Sequence, residues 1–223
     1  MGRKIINKRK KVAFFDFPGH PFVHDLSKEL STEKKYTLYH LYNPEQLGPK
    51  SNFNKKSFEK IIPISKSFSR NFYIRFFDEI IYSFKCIYHI SKINPDVLIA
   101  SSMPLIPLYF LTLLKKFMSF KLIFWMQDIQ SIAIDKILTR KKNVIAGLVT
   151  KLFHFFETTI IKSSDSIILI TEDFKKYFKS EMSNKNVYTI HNWGSFENIK
   201  PLEKLNSFSI EKKISDTFNI LYS

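Results

Sequence analysis

The sequence predicts an α/β domain in which a mostly parallel sheet of about seven strands carries helices on both faces. Short apolar runs, of the kind that a doubly covered parallel strand needs, alternate along the chain with longer segments of helical periodicity. Several of the short runs also end abruptly in polar residues. Ligands of open α/β sheets bind beyond the carboxyl ends of the strands, so these polar ends are candidate site residues.

The elements follow one another in a regular order. Pro21 suits the first turn of a helix that runs through Leu30, and Asn94-Pro95 ends a long helix that begins near Phe68. Further helices are predicted over 103–118, 132–138 and 144–162, and after Asp173 through Phe178. Strands are predicted over 12–15, 36–42, 60–64, 97–100, 121–126, 166–170 and 186–190.

The helix predicted over 68–93 is unusually rich in aromatic residues. Packing of an apolar stripe against the sheet is the interpretation that we favour. A surface that meets a membrane or a lipid-bearing acceptor is the alternative. The stripe recurs at helical spacing and consists of Phe72, Phe76, Ile80, Phe84, Ile87 and Ile90.

The charge of the chain limits its classes of partner. Formal net charge is +15 over 223 residues, and 30 of the 35 basic residues are lysines. Readers of nucleic-acid sequence tend to use arginine, so a lysine-rich excess fits diffuse attraction to phosphates or an anionic membrane surface better, or a compositional bias. The single Cys86 excludes an intramolecular disulfide framework and is expected to be an inert packed thiol.

Localisation and domain limits are predicted from apolar and polar stretches. The sequence shows no secretory signal and no apolar run of the roughly 20 residues that span a bilayer. We therefore expect a cytoplasmic protein, with at most peripheral attachment to the inner face of the cell membrane. Residues 1–194 are predicted to form the domain, 195–217 a polar linker, and 218–223 the first strand of a second domain that this chain lacks.

Five strand ends together predict a crevice lined with hydroxyl-binding groups. Gly19, between a strand and a helix, permits close backbone approach to a ligand. Each polar group also has a structural interpretation: His20 as a helix partner, Ser102 as a helix cap, Glu172 as a complement to a helix dipole, and Asn192 as a turn residue. The five ends are Gly19-His20, Ser101-Ser102, Gln127-Asp128, Thr171-Glu172 and His191-Asn192.

Taken in order, several segments resemble the N-terminal half of family 4 glycosyltransferases, in particular the WbuB-like bacterial enzymes of O-antigen (lipopolysaccharide) and capsule assembly. Departures from the family pattern occur at Gln130, at His191 and at Gly194-Ser195. The family's donor-binding half has no counterpart in these residues. The matching segments are 17–21, 94–102, 124–129, 164–172 and 190–193.

The resemblance implies a GT-B architecture with two Rossmann-like domains and an active site between them. It further implies retention of anomeric configuration, no divalent metal and no cofactor, with a nucleotide sugar as donor and a lipid-linked glycan as acceptor. This domain would hold the acceptor and be inactive by itself. Gly19 would approach the diphosphate or the sugar, Gln127 and Asp128 would orient hydroxyls as catalytic positioning residues, and further hydrogen bonds would come from His20, Ser102, Glu172 and Asn192.

Two other functions stay open at this point. One is a basic nucleic-acid-binding protein, against which stand the scarcity of arginine and the pattern of strand ends. The other is a non-catalytic remnant of a transferase or one subunit of a split enzyme. For Asp128 we favour a function, because a carboxylate that directly follows so apolar a strand is expected to need a partner.

Overall fold

A computed structural model of the chain describes residues 9–46, 58–139, 144–194, 203–214 and 217. All seven predicted strands are present, and every pairing between them is parallel. The predicted fold class is therefore confirmed. The strands are β1 (Lys10–Asp16), β2 (Tyr36–Tyr42), β3 (Lys60–Pro63), β4 (Val97–Ser101), β5 (Lys121–Met126), β6 (Ser166–Leu169) and β7 (Asn186–Thr189).

The strand order fixes where a ligand crevice can form. The sheet runs β3-β2-β1-β4-β5-β6-β7, so the chain moves outward from β1 in one direction and then returns to continue in the other. In such sheets the crevice opens where the order reverses, here between β1 and β4. Asp16 and Ser101, the last residues of these strands, are direct neighbours in the pairing.

Helices cover both faces of the sheet, and their ends differ in places from the sequence prediction. The long helix begins at Phe72 rather than near Phe68, because the Asn71 side chain accepts hydrogen bonds from the N–H groups of Tyr73 and Ile74. Instead of one helix through Phe178, a 3-10 turn over Glu172–Lys176 precedes a short helix. The helices are α1 (Pro21–Thr32), α2 (Phe72–Ile93), α3 (Leu105–Leu114), α4 (Gln130–Thr139), α5 (Val144–Ser163), α6 (Lys179–Met182) and α7 (Ser207–Glu211).

The core has two layers, one on each face of the sheet. Alternate residues of β1 enter opposite layers, with Phe15 on the side of α2, α3 and α5 and Phe14 on the side of α1. Cys86 of α2 is fully buried in the first layer, and this burial raises the pKa of its thiol, as expected for a packed and unreactive cysteine. Among the described residues, no helix is both long enough and apolar enough to cross a membrane.

The chain divides into two compact units, Met1–Trp193 and Gly194–Ser223. Within the second unit α7 lies inside the predicted linker, and its N-terminus is closed by a capping box between Asn206 and Ser209. Residues 195–202 and 218–223 lie outside the described residues. The predicted linker and second domain therefore stay predictions.

Buried His40 gives a test of how pH acts on the fold. It lies on β2, fully buried, and burial together with the nearby His24 lowers the pKa of its imidazole to about 3. An unfolded histidine binds a proton below about pH 6.5, whereas the folded one stays neutral, so acid favours unfolding. We expect His40 to cost about 2 kcal/mol of stability at pH 5 relative to pH 7.5.

Urea denaturation of the wild type and of His40→Gln at the two pH values measures this cost. The variant is expected to lose the His40 part of the acid sensitivity, while His191→Gln serves as an exposed histidine control. Equal pH dependence in His40→Gln and the wild type would contradict the assignment.

Candidate functional site

A polar cavity of about 570 Å³ opens at the carboxyl ends of the strands. We call it the crevice. Five of the seven predicted site residues line it, coming from four separate segments of the chain, whereas Gly19 and Glu172 are not among its lining residues. The five are His20, Ser102, Gln127, Asp128 and Asn192.

The turn between β1 and α1 forms one wall of the crevice. His20 stands at the N-cap position of α1, but its side chain makes no capping hydrogen bond. Instead its Nδ1 lies 3.0 Å from Oδ1 of Asp16, and its backbone N–H donates to the same carboxylate. Gly19 makes this turn possible, since its φ of 79° lies in the region that side chains rarely adopt.

The pairing with Asp16 leaves His20 with one nitrogen for a ligand. Asp16 is fully buried, and this burial raises the pKa of its carboxyl group while the contacts with His20 act in the opposite direction. The His20 ring is one-quarter exposed and lines the crevice, and its Nε2 makes no hydrogen bond within the described part of the chain. A buried carboxylate that holds Nδ1 fixes the ring and leaves Nε2 as the ligand-facing proton acceptor.

Ser102 follows β4 in an unusual backbone conformation. Its φ is 51°, which is uncommon for a residue that carries a side chain. Helix α3 begins three residues later, with Pro104 at its N-cap and no side-chain cap, so Ser102 is not the helix cap that the sequence also suggested. The strained residue lines the crevice directly, where its hydroxyl is available to a ligand.

The ends of β5 and β7 meet across the crevice. The Asn192 side-chain amide donates to Oε1 of Gln127 at 2.6 Å, which joins two segments 65 residues apart. Asp128 lines the crevice as an exposed side chain, and within the described residues its carboxylate has no partner. The carboxylate is therefore open to a ligand from the crevice, and its predicted function stays a prediction.

Two buried N–H donors beside the crevice are left without partners among the described residues. These are Nε1 of Trp125, whose side chain is almost fully buried, and Nε2 of Gln127. Both residues line the crevice. An unpaired buried donor costs about 1–3 kcal/mol, so a small local movement that exposed either group to a ligand oxygen would be compensated by the new hydrogen bond.

Aromatic rings continue the wall from the histidine to the end of β7. The His20 ring stacks on Phe22 at 4.9 Å, and Phe22 contacts Trp125 at 5.3 Å and Trp193 at 5.9 Å. Trp193 also lies 5.9 Å from Trp125. The chain has two tryptophans in all, so both of them are within this cluster. Ligand binding in the crevice should therefore change the intrinsic fluorescence.

A buried glutamate holds the start of α4, the helix that follows Asp128. Glu157 of α5 is fully buried and accepts hydrogen bonds from the backbone N–H groups of Gln130 and Ser131 at 3.0 and 3.1 Å. The Ser131 hydroxyl donates to the same carboxylate. Gln130 also donates from Nε2 to the carbonyl of Met103 at 2.6 Å. These contacts fix the turn that presents Gln127 and Asp128.

A second, more apolar cavity of about 830 Å³ adjoins the crevice between the first turns of α2 and helix α4. We call it the side cavity. It shares Arg75, Asp128 and Gln130 with the crevice. The Arg75 guanidinium is held by the buried carboxylate of Glu79 at 3.0 Å. The apolar lining of the side cavity includes Phe72, Phe76, Leu105, Ile129, Ile134, Ile137, Leu138 and Phe153.

Glu172 lies outside the lining of the crevice. Its exposed carboxylate is paired with Lys175 at 2.6 Å and accepts a hydrogen bond from Thr189. Lys175 is the main reason that the pKa of Glu172 is lowered. These contacts join the 3-10 turn to β7 and favour a structural role for Glu172.

The sequence reasoning overlooked Asp16, Trp125 and Arg75. A carboxylate four residues before a histidine is visible in the sequence as Asp16 and His20, but this spacing alone does not indicate a pair. Arg75 likewise precedes Glu79 by one helical turn. No local signal marked the Trp125 side chain as one whose N–H would remain unpaired.

No protein-family model matches the chain, and no curated protein sequence matches it either. Solved structures do resemble it. A sucrose-phosphate synthase from Thermosynechococcus elongatus is 9% identical with a TM-score of 0.51, and the match covers 93% of this chain and 98% of that one. A UGT transferase from Siraitia grosvenorii in complex with UDP is 10% identical with a TM-score of 0.51, covering 92% and 54%.

A third similar structure is HepE of Anabaena in complex with UDP, at 9% identity and a TM-score of 0.50. The match covers 93% of this chain and 51% of HepE, so the chain spans about half of the two UDP-bound proteins. At such identities the likeness is one of fold. The chain has the Rossmann-like α/β architecture that also occurs in the domains of GT-B glycosyltransferases.

Proposed function

We propose that this domain binds the acceptor in a glycosyltransferase that moves a sugar from a nucleotide sugar to an acceptor hydroxyl. The observation that carries the proposal is the pair of Asp16 and His20 in the crevice, beside the unpaired donors of Trp125 and Gln127. The similarity in fold to two proteins whose structures contain UDP supports a nucleotide-linked donor.

In this proposal His20 assists the acceptor. The acceptor oxygen forms a bond to the anomeric carbon while the bond from that carbon to the diphosphate breaks, and its electron pair leaves with the diphosphate. Nε2 of His20 takes the proton that the acceptor hydroxyl loses, and Asp16 stabilises the imidazolium that forms. Trp125 and Gln127 donate to sugar oxygens, and Asp128 accepts from sugar hydroxyls.

The side cavity gives a place for an apolar part of the acceptor. It opens from the crevice at Arg75, Asp128 and Gln130, and most of its remaining lining is apolar. A sugar in the crevice could therefore carry an alkyl or polyprenyl group that enters the side cavity. This arrangement supports a lipid-linked glycan acceptor, as used in surface polysaccharide synthesis at the cytoplasmic face of the cell membrane.

The donor would bind opposite this crevice, on a further domain or a partner chain. Independence from divalent metal stays a prediction of the family resemblance. Retention of anomeric configuration also stays a prediction, and it requires the acceptor oxygen to attack the face of the sugar that the diphosphate leaves. The nature of the sugar and of its nucleotide is left open by the proposal.

Tryptophan fluorescence tests the acceptor site directly. We expect a medium-chain alkyl glycoside to change the emission and to bind at least tenfold more tightly than the free sugar, because the alkyl group leaves water. Ala133→Phe, which adds a ring in the side cavity, should remove this advantage. Lys136→Phe, on the same helix but outside the cavity lining, is the matched control.

Sugar transfer by the full-length protein tests the reaction itself. A panel of labelled nucleotide sugars with polyprenyl-diphosphate-linked acceptors should yield a glycosylated lipid. Binding of alkyl glycosides without an effect of Ala133→Phe would overturn the assignment of the side cavity. Absence of both binding and transfer would overturn the proposed function.

A further inference from the structure

Helix α2 exposes a second apolar stripe on the side away from the sheet. Its residues are between 52% and 65% exposed, although each is large and apolar or aromatic. Five of them follow one another at intervals of three or four residues and so lie along one line of about 22 Å on the helix surface. The stripe consists of Tyr73, Ile74, Phe77, Ile81, Phe84 and Tyr88.

Ring contacts extend this stripe across the two neighbouring helices. Phe84 of α2 contacts Phe110 of α3 at 5.8 Å, Phe110 contacts Tyr109, and Tyr109 contacts Phe155 of α5 at 6.1 Å. Phe155 is 53% exposed, and Leu148 and Leu152 on the same helix are exposed as well. We call the stripe together with these α3 and α5 residues the outer helical face. Singly exposed apolar residues are normal on a protein surface, whereas an apolar patch that extends over three helices marks an interaction site.

The exposed charges on the three helices that form the outer helical face are of one sign. The carboxylates of α2 and α5 are withdrawn: Asp78 is 14% exposed and paired with Lys66, and Glu79 and Glu157 are buried. Helix α3 contains no acidic residue. Apart from Arg75, which faces the two cavities, the exposed charges on these helices and directly after α3 are basic, namely Lys85, Lys92, Lys116, Lys151 and Lys162.

The opposite side of the sheet lacks this pattern. Helix α1 carries Asp25 and the exposed Glu29, and Glu33 directly follows it. Acidic and basic residues are mixed there, as on an ordinary solvated surface. The exposed charges of α2, α3 and α5 therefore differ from those of α1, where both signs occur.

We infer that the outer helical face docks on an anionic lipid bilayer. Aromatic and aliphatic side chains would enter the boundary between headgroups and acyl chains, while the lysine ammonium groups contact lipid phosphates. Charge argues against a second copy of the chain as occupant, since two such faces would bring their lysines together. The inference does not depend on the proposed function, because bilayer binding needs neither donor nor acceptor.

Docking in this way would connect the bilayer with the side cavity. Tyr73 belongs to the exposed stripe and also lines the side cavity. Its neighbours Asn71 and Phe72 line the side cavity as well. A lipid-linked acceptor could pass from the bilayer along the first turn of α2 into the cavity without exposing its apolar chain to water. This connection alone rests on the proposed function.

Vesicle flotation tests the docking. The full chain is expected to float with phosphatidylcholine vesicles that contain phosphatidylglycerol, and much less with pure phosphatidylcholine or at high salt. Phe77→Ser with Phe84→Ser should weaken binding at least tenfold, because two rings no longer leave water. Lys85→Gln with Lys92→Gln should weaken it roughly fivefold per lysine.

Matched variants on other surfaces act as controls. Tyr188→Ser removes an exposed ring from edge strand β7, and Lys28→Gln with Lys34→Gln removes two charges at α1. Both are expected to float like the wild type. Equal loss in these controls, or flotation that survives the double phenylalanine variant, would overturn the inference.

Other occupants of the face give different results. If two copies pair through it, sedimentation without vesicles shows a dimer that the phenylalanine variant dissociates, and vesicles bind neither form. If nucleic acid is the partner, filter binding is lost in the Lys85 and Lys92 variant but kept in the phenylalanine variant. Either result would overturn bilayer docking.

Discussion

Replacing His20 by glutamine is expected to lower kcat for sugar transfer by about 10²–10⁴-fold, the usual contribution of a positioned acid–base group. Glutamine keeps a polar side chain of similar size, but it cannot take the proton of the acceptor hydroxyl. KM for the acceptor should change much less, because the donors of Trp125 and Gln127 remain. The measurement is steady-state transfer by the full-length protein, with fluorescence binding of an alkyl glycoside in parallel.

The Asp16→Asn variant tests whether His20 must accept a proton or need only fill its place in the crevice. The asparagine amide would face Nδ1 of His20 with a donor or an acceptor, so it no longer selects the tautomer with a free Nε2. We expect a loss of activity that is comparable with that of His20→Gln and not additive to it in the double variant. His24→Gln, on the same helix but outside the crevice lining, should retain activity.

The pH profile adds an independent criterion. A base that acts through the imidazole gives a rise of kcat with pH that both variants lose. If His20→Gln kept activity but bound the acceptor poorly, His20 would be a binding group only. Full activity in His20→Gln would remove it from the mechanism.

The fold was predictable because its signals are local. Apolar runs of four to seven residues, separated by helical periods, specify a parallel α/β sheet, and the structure contains all seven strands. The helix ends were less predictable, as at Asn71, where a side-chain cap decides the first residue. The long α2 shows the limit of periodicity, since Phe72 and Ile90 pack on the core while Phe77 and Phe84 of the same helix are exposed.

The crevice was predictable only in outline. Parallel strands bring their carboxyl ends to one edge, so His20, Ser102 and Asp128 could be expected together. The hydrogen bond between Asn192 and Gln127 spans 65 residues and depends on the register of β5, β6 and β7, which no local pattern specifies. Whether a polar end is paired, as in Asp16, or solvated, as in Asp128, follows from packing around it.

Glu157 shows how a distant residue positions the site, and its removal has the largest expected effect on stability. Glu157→Ala leaves two backbone N–H groups and the Ser131 hydroxyl without their buried acceptor, so we expect a loss of about 2–4 kcal/mol in the free energy of unfolding. Glu157→Gln keeps one acceptor oxygen and should lose about half as much. Urea denaturation measures both, with exposed Glu33→Ala as the control within about 0.5 kcal/mol of the wild type.

The same carboxylate has a pH signature that distinguishes a buried acid from a mere space-filling group. Burial raises the pKa of Glu157, although hydrogen bonds from Ser131 and Gln130 act against the rise. The folded state therefore binds the proton of Glu157 more tightly than the unfolded state does. The contribution of Glu157 to stability consequently falls as the pH rises from the ordinary pKa of a glutamate carboxyl group through the pKa of Glu157 in the folded protein. Glu157→Gln should abolish that component. A pH dependence identical to that of the wild type would show that the carboxylate is not the titrating group, and unchanged stability of Glu157→Ala would show that α4 does not depend on it.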